Sequence, residues 1–315
     1  MPAPCGTEGR VTAPLQTDHM PAGGTLLIAN PVSGQAAAAR SRERLPWLLA
    51  EAGLPPTVHI TSGPGDATQA ARDAVVAGFE RVVVAGGDGT TNEVVQGLAG
   101  SHTPLGLVPL GTGNVLARQL GLGVDDPEGA CRVIAANKQR PVDLGAANGR
   151  HFVLMAGAGI DGEVAAQVQG FWKDRLGMWA FVGEFAAQAL AHSEQHMFRV
   201  VVDGQALERR MWSVLVCNAA QYAWRLSFAP AAQMDDGLLH VVMFHHPGRF
   251  QLLSSVVGEW LRGGGTEIPH VTQFRGRQVE VHADPPAKWQ ADGETGGTTP
   301  VRLEVAHLAL TLIVP

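Results

Sequence analysis

Gly86-Gly87-Asp88-Gly89-Thr90, running straight into Thr91-Asn92-Glu93-Val94, decides how this chain is read. Before it stands the short apolar run Arg81-Val82-Val83-Val84-Ala85, the pattern of a buried strand. After it, Glu93 to Ala99 carries apolar residues at helical spacing. A glycine turn between a strand and a helix N-terminus points backbone N–H groups outward, where they can hold phosphate oxygens. Asp88 is the odd member, because a site built only to grip an anion would avoid a carboxylate. It fits if it organises a metal ion or takes a proton from an attacking hydroxyl. The plainer alternative is a tight turn in which Asp88 caps the next helix.

Two more small-residue loops sit in the same context. Asn30-Pro31-Val32-Ser33-Gly34 follows an apolar strand at 25–29 and precedes an alanine-rich helical run. Pro109-Leu110-Gly111-Thr112-Gly113-Asn114 follows a strand at 105–108 and precedes Val115-Leu116-Ala117-Arg118. In an open α/β sheet such loops gather at the carboxyl edge of the strands, where ligands bind. The chain has three lysines, Lys138, Lys173 and Lys288, and neither a Gly-Lys-Ser/Thr P-loop nor a Gly-x-Gly-x-x-Gly after the first strand. Phosphates would therefore be met by backbone N–H groups, hydroxyls, arginine and metal.

At 315 residues, with 45% apolar and 17% charged residues, the chain is globular and long enough for one large domain or two ordinary ones. A net charge of −6 argues against a nucleic-acid partner, which calls for a basic face. Contact with anionic membranes would rest on local patches such as Arg209-Arg210. Three widely spaced cysteines (Cys5, Cys131, Cys217) without metal spacing fit a reducing, cytoplasmic setting. No run of 18 apolar residues marks a transmembrane segment, and 1–23 reads as a flexible extension without a signal peptide.

Strand, loop and helix alternate from 25 to about 121, with strands at 25–29, 57–61, 81–85 and 105–108, and a further short helix follows from 125 to 137. This is the pattern of a mostly parallel sheet. Near Gln139 the character changes. A hairpin is expected over 142–155 around Asn148-Gly149, and a second from 197 around Asp203-Gly204. Further strands are expected at 211–217, 237–244, 271–274 and 278–283, with helices at 172–191 and 249–262. The first of those helices is apolar enough to be core or, if open to a cleft, to receive an acyl chain. His192-Ser193-Glu194-Gln195-His196 does not match His-Glu-x-x-His and reads as a polar helix terminus. His245-His246 reads as a strand-to-loop corner with nothing nearby to complete a metal site. The expected architecture is an α/β N-terminal domain over 24–140 with a mostly parallel sheet, and a β-rich, sandwich-like second domain over 141–299.

Asn-Pro-x-Ser-Gly, Gly-Gly-Asp-Gly-Thr-x-Asn-Glu-Val and Gly-Thr-x-Asn, in that order, resemble the diacylglycerol kinase catalytic domain. That family of lipid kinases includes bacterial diacylglycerol kinases, sphingosine kinases and ceramide kinases. Gly157-Ala158-Gly159-Ile160-Asp161, Asp235-Asp236-Gly237-Leu238 and Asp292-Gly293-Glu294 continue the resemblance, which spans residue 24 to the C-terminus. It implies that the strands at about 300–315 return to the first domain, and that ATP and Mg²⁺ are used. It also implies a membrane-lipid acceptor, peripheral membrane association and room for a homodimer.

Carried over residue by residue, the resemblance puts Asn30, Ser33, Gly34, Thr61, Gly86, Gly87, Gly89, Thr90, Asn92, Thr112 and Asn114 around the nucleotide. Many relatives carry a basic residue after the Ser-Gly of the first loop, where this chain has Gln35; Arg40 stands one turn further on. Asp292 and Glu294 are the candidates for the base, and Asp88 for organising catalytic Mg²⁺ and the γ-phosphate, with these roles exchangeable. A structural Mg²⁺ would take the carboxylate of Asp236 and the carbonyls of Gln233 and Leu238. Two rival readings remain: phosphorylation of a soluble hydroxyl in the manner of NAD kinases, and a catalytically silent lipid-binding protein.

Overall fold

Aliphatic, β-branched runs and alanine-rich amphipathic stretches alternate through the first third of the chain. They form β1 (Thr25–Ala29), α1 (Ala36–Glu51), β2 (Pro56–Ile60), α2 (Asp66–Ala77), β3 (Arg81–Gly86), α3 (Asp88–Leu98), β4 (Leu105–Pro109), α4 (Val115–Gln119) and α5 (Pro127–Ala136). The structure, a computed structural model, describes residues 23–34, 36–167, 196–221, 227–245 and 271–315, without the side chains of 36–40 and 167. The expected extension up to residue 22, the helices at 172–191 and 249–262, residues 192–195, His246, Gln35 and the Arg40 side chain lie outside the described residues.

The four strands pair in parallel in the order β2-β1-β3-β4. Their side chains divide by alternation. Leu26, Ile28, Val82 and Val84 join Ala70 and Ala74 of α2 and Val94 and Leu98 of α3 in one core. Leu27, Ala29, Val83 and Ala85 join Leu45 and Leu49 of α1 and Ile134 of α5 in another. Both faces of β1, β3 and β4 are covered, which is why these three strands read as unbroken apolar runs. Each such aliphatic side chain contributes roughly 1.5–3 kcal/mol by leaving water.

Register matters for the site. Ala29 pairs with Ala85, and Ala85 with Val108, so β1, β3 and β4 end level and their loops open side by side. The chain steps from β1 outward to β2, then back across to β3. The crevice between β1 and β3 is therefore the topological switch point of the sheet, the place where ligands sit in folds of this kind.

The second domain is antiparallel and sandwich-like. It comprises β5 (Gln139–Ala147), β6 (Arg150–Phe152), β7 (Met155–Gly159), α6 (Ile160–Gln167), β8 (His196–Val202), β9 (Gln205–Cys217), β10 (Leu239–His245), β11 (Val271–Gly276), β12 (Gln278–Asp284), β13 (Lys288–Ala291), β14 (Glu294–Thr298) and β15 (Val301–Ile313). Phe152, Phe198, Met211, Val241, Val279 and Trp289 lie in its own core. β15 ties the domains together: it runs antiparallel to β12 and β5, and near its end Leu312 pairs in parallel with Leu105 of β4.

Several expectations are revised. The Asn148-Gly149 hairpin forms, with both residues left-handed (φ 48 and 85). The strand expected over 151–155 breaks after Phe152, because the amides that follow turn to Asp292. The segments from 205 and at 211–217 are one strand, β9. The strands expected at about 300–315 are also one strand, β15, with an irregularity between Ala306 and Leu310. His196 opens β8 instead of ending a helix. The hairpin β13–β14 was not expected from the sequence, since Glu294-Thr295-Gly296-Gly297-Thr298 has no alternating apolar signal. Among the described residues no helix is long and apolar enough to cross a membrane.

Candidate active site

The β3–α3 and β4–α4 loops touch through bare backbone. A Cβ added at Gly111 would lie 2.5 Å from the Cα of Gly87, and one at Gly113 would lie 2.6 Å from Oδ2 of Asp88. Only glycine permits this approach. Asp88 itself opens α3, with Gly87 as the N-cap. Its Oδ1 accepts the amide of Val115 at 2.7 Å, so it caps α4 across the loop. Asn114 is buried and left-handed (φ 48), and its amide group closes on Gly111 in both directions, at 3.0 and 2.6 Å.

The switch-point crevice is bridged by Asn30, whose Nδ2 donates to Thr90 Oγ1 at 2.9 Å. Arg42, from α1, donates to the carbonyls of Asn30 at 2.6 Å and Ser33 at 3.2 Å, holding the first loop with a cation behind it. Thr61, buried just past β2, donates its amide to Ala29 at 3.0 Å. Gly34 is left-handed (φ 79), and Gly89 and Thr112 are exposed. Gly86 is buried at the end of β3.

The β13–β14 turn faces this edge. Asp292 is left-handed (φ 47), and its carboxylate accepts three consecutive amides: Val153 at 2.6 Å and Leu154 and Met155 at 3.0 Å each. Burial pushes its carboxyl up to about 6; the three amides pull it down, and the nearby charge of Asp88 adds to the rise. Two residues on, Glu294 pairs with Arg150 of β6 and takes Asn92 Nδ2 at 3.4 Å.

One face of α3 makes these contacts. Asp88, Asn92 and Gln96 recur every four residues, a single helical stripe. Asp88 lies near Asp292, Asn92 meets Glu294, and Gln96 clamps the main chain of His151, giving at 2.8 Å and accepting at 3.0 Å. Burial pulls the His151 imidazole below its usual range.

A second polar centre underlies the Asp235-Asp236-Gly237-Leu238 turn. Asp143, fully buried, accepts Gly237 N, Leu308 N and the His307 ring, each at 2.7 Å. Asp236 takes Leu238 N at 3.0 Å on Oδ1 and faces His240 Nε2 at 3.2 Å with Oδ2. Gln233 is exposed beside it. Among the described residues no three His, Cys, Asp or Glu side chains cluster to hold a metal.

Residues 24–147 match the family model of the diacylglycerol kinase catalytic domain, and residues 155–314 match that of the YegS C-terminal NAD kinase beta sandwich-like domain. The chain belongs to the diacylglycerol kinase family. It is a kinase of two domains, α/β and β-sandwich-like. The diacylglycerol kinase of Bacillus subtilis (strain 168) is 28% identical over 291 residues, 92% of this chain and 95% of that one. That of Mycobacterium tuberculosis (strain ATCC 25618 / H37Rv) is 29% identical over 295 residues, 91% and 94% of the two chains. A solved diacylglycerol kinase from Bacillus anthracis str. Sterne superposes with a TM-score of 0.76 at 26% identity, covering 93% of this chain and 97% of that one.

Against this family background, the structure gathers Asn30, Ser33, Gly34, Thr61, Gly86, Gly87, Gly89, Thr90, Thr112 and Asn114 at the loops of the sheet edge. It places Asn92 apart from them, on Glu294. Asn114 shapes its loop. Asp88, Asp292 and Glu294 come together although 204 residues separate Asp88 from Asp292 (292 − 88). Sequence reasoning missed Arg42, Gln96, Asp143 and Arg150. Of these only Gln96 left a trace, as the third member of the i, i+4, i+8 stripe that begins at Asp88.

Proposed function

We propose that this protein transfers the γ-phosphate of ATP, bound as its Mg²⁺ complex, to a hydroxyl of a membrane lipid, diacylglycerol or a lipid like it. One observation carries the reading: the acidic β13–β14 turn is docked on α3, the helix whose first turn opens the glycine loops. A phosphate donor in those loops and an acceptor hydroxyl at the turn would meet between Asp88 and Glu294. Phosphoryl transfer asks for that positioning more than for covalent chemistry.

In this reading the first loop, braced by Arg42, and the Gly87–Gly89 turn receive the phosphates, with Thr61 and Thr112 at the margins. The acceptor oxygen bonds to the γ-phosphorus as the bond to the β-phosphate oxygen breaks, and ADP leaves. The hydroxyl proton passes to Glu294, each of whose oxygens has a single hydrogen-bond partner among the described residues. Asp292, with both oxygens held by amides, sets the turn, and Asp88 orients the Mg²⁺-bound phosphates. At the 235–238 turn each oxygen of Asp236 keeps a lone pair, which with the carbonyls of Gln233 and Leu238 fits a hard divalent cation. Such a Mg²⁺ would brace the turn and take no part in transfer.

The test is transfer of labelled γ-phosphate from ATP–Mg²⁺ to mixed micelles holding diacylglycerol, monoacylglycerol, sphingosine or ceramide, with NAD in a parallel arm. A phosphorylated lipid, lost in Glu294→Gln, is the expected result. The description of the second domain as NAD kinase beta sandwich-like favours one rival, phosphorylation of a soluble hydroxyl. Product from NAD and none from lipid would establish it.

A further inference from the structure

The side-chain amides of α3 form a chain whose direction is dictated by the main chain. The His151 carbonyl can only accept and its N–H can only donate, so Gln96 must present Nε2 to the one (2.8 Å) and Oε1 to the other (3.0 Å). With Nε2 so placed, it also reaches Asn92 Oδ1 at 3.1 Å. Asn92, buried, then has no choice of orientation: Oδ1 is taken by Gln96, and Nδ2 is left facing Glu294 Oε1. The second arm on Glu294 traces to the same residue. Arg150, its ion-pair partner, immediately precedes the His151 that Gln96 holds, on the three-residue strand β6.

We propose that Gln96 is a positioning residue for Glu294, acting through Asn92 on one side and Arg150 on the other. It touches neither donor nor acceptor; it sets the orientation of an amide and the place of a guanidinium, and these aim the carboxylate. This rests on the reading of Glu294 as the proton acceptor.

Two substitutions separate aiming from mere support. Gln96→Ala removes both arms' anchor but leaves Asn92 free to keep its orientation. Gln96→Glu is nearly isosteric and still accepts from His151 N–H. Its second oxygen, however, opposes the His151 carbonyl and Asn92 Oδ1. Asn92 turns over to donate to it and presents Oδ1 to Glu294. Phosphate transfer from ATP–Mg²⁺ to diacylglycerol in mixed micelles is measured for each variant, with its melting temperature and its KM for ATP. The expected kcat falls roughly ten- to a hundredfold, further in Gln96→Glu than in Gln96→Ala, with KM for ATP within about twofold. Adding Asn92→Ala to Gln96→Glu removes the misdirected oxygen and restores part of kcat.

A kcat that follows melting temperature alone, with no recovery in the double variant, would overturn the positioning role. So would a loss in Glu294→Gln with none in Gln96→Glu. Full activity in Glu294→Gln would overturn the acceptor reading, and this inference with it.

Discussion

Around Gly87 and Gly111 the packing is main chain on main chain, and what matters there is the absence of side-chain atoms. The tip of β13–β14 instead carries carboxylates, each held by donors from elsewhere: three amides on Asp292, a guanidinium and an amide on Glu294. In the proposed reading the glycines of the loops would bind by shape and by backbone N–H groups, which have fixed partial charge and no protonation state. The turn acts through groups whose protonation counts. So the first region should be sensitive to volume and indifferent to pH, and the second the reverse.

The sharpest way to break this contrast is Glu294→Gln, which keeps volume and removes basicity. Its kcat should drop by about 10²–10⁴-fold with KM for ATP nearly unchanged, read from steady-state transfer assays. A parallel rise in KM would mean that the two regions share the nucleotide.

Gly111→Ala is the opposite probe, a volume change without charge. Its Cβ would lie 2.5 Å from Gly87 Cα, so one loop must shift by close to an ångström. ATP affinity should weaken by up to about a hundredfold, measured by titration calorimetry with a non-hydrolysable analogue. Unchanged affinity would remove the loop pair from the nucleotide site.

Asp292 gives the pH arm. Its carboxyl titrates near 6 in the fold against 3.8 ordinarily, so between those values the native state holds a proton the unfolded chain has lost. Stability from this group is therefore fullest below about pH 4, falls as pH rises towards 6 and is flat above. Urea unfolding at pH 4, 5, 6 and 7 should show that decline in the native chain and a flatter curve in Asp292→Ala. A difference rising with pH would mean that the three amides outweigh burial.

Thr90→Val removes the acceptor of Asn30 across the switch point and should cost about 1 kcal/mol in urea unfolding. Smallest of all, Mg²⁺ should raise the melting temperature by a few degrees at most, by mass action on the native state. In Asp236→Ala that rise should vanish. An equal rise there would place the cation elsewhere.

Much of the first region was legible in the sequence, since its strands and loops are local. A run such as Arg81–Ala85 followed by Gly-Gly-Asp-Gly-Thr announces strand, turn and helix within a dozen residues. The second region was legible only as a motif. Nothing around Asp292 says that Val153, Leu154 and Met155 donate to it, and the same contact breaks a strand expected to run through 151–155. Arg42 was overlooked because the basic residue was sought at position 35 and, one turn on, at Arg40, whereas it is Arg42 whose side chain reaches the carbonyls of the first loop. Asp143, read as an ordinary strand residue, joins the turn at Gly237 to the irregularity at Leu308 from 94 and 165 residues away.

The amino-acid sequence by itself determined the α/β order of the first domain, the three glycine loops and the acids available for chemistry. Periodicity and turn propensity act over a few residues and survive without the fold. Tertiary structure alone decided which acid faces which helix and which donors each carboxylate meets. It also set the direction in which the amides of Asn92 and Gln96 point. Those depend on donors and desolvation brought from distant parts of the chain, and no local pattern carries them.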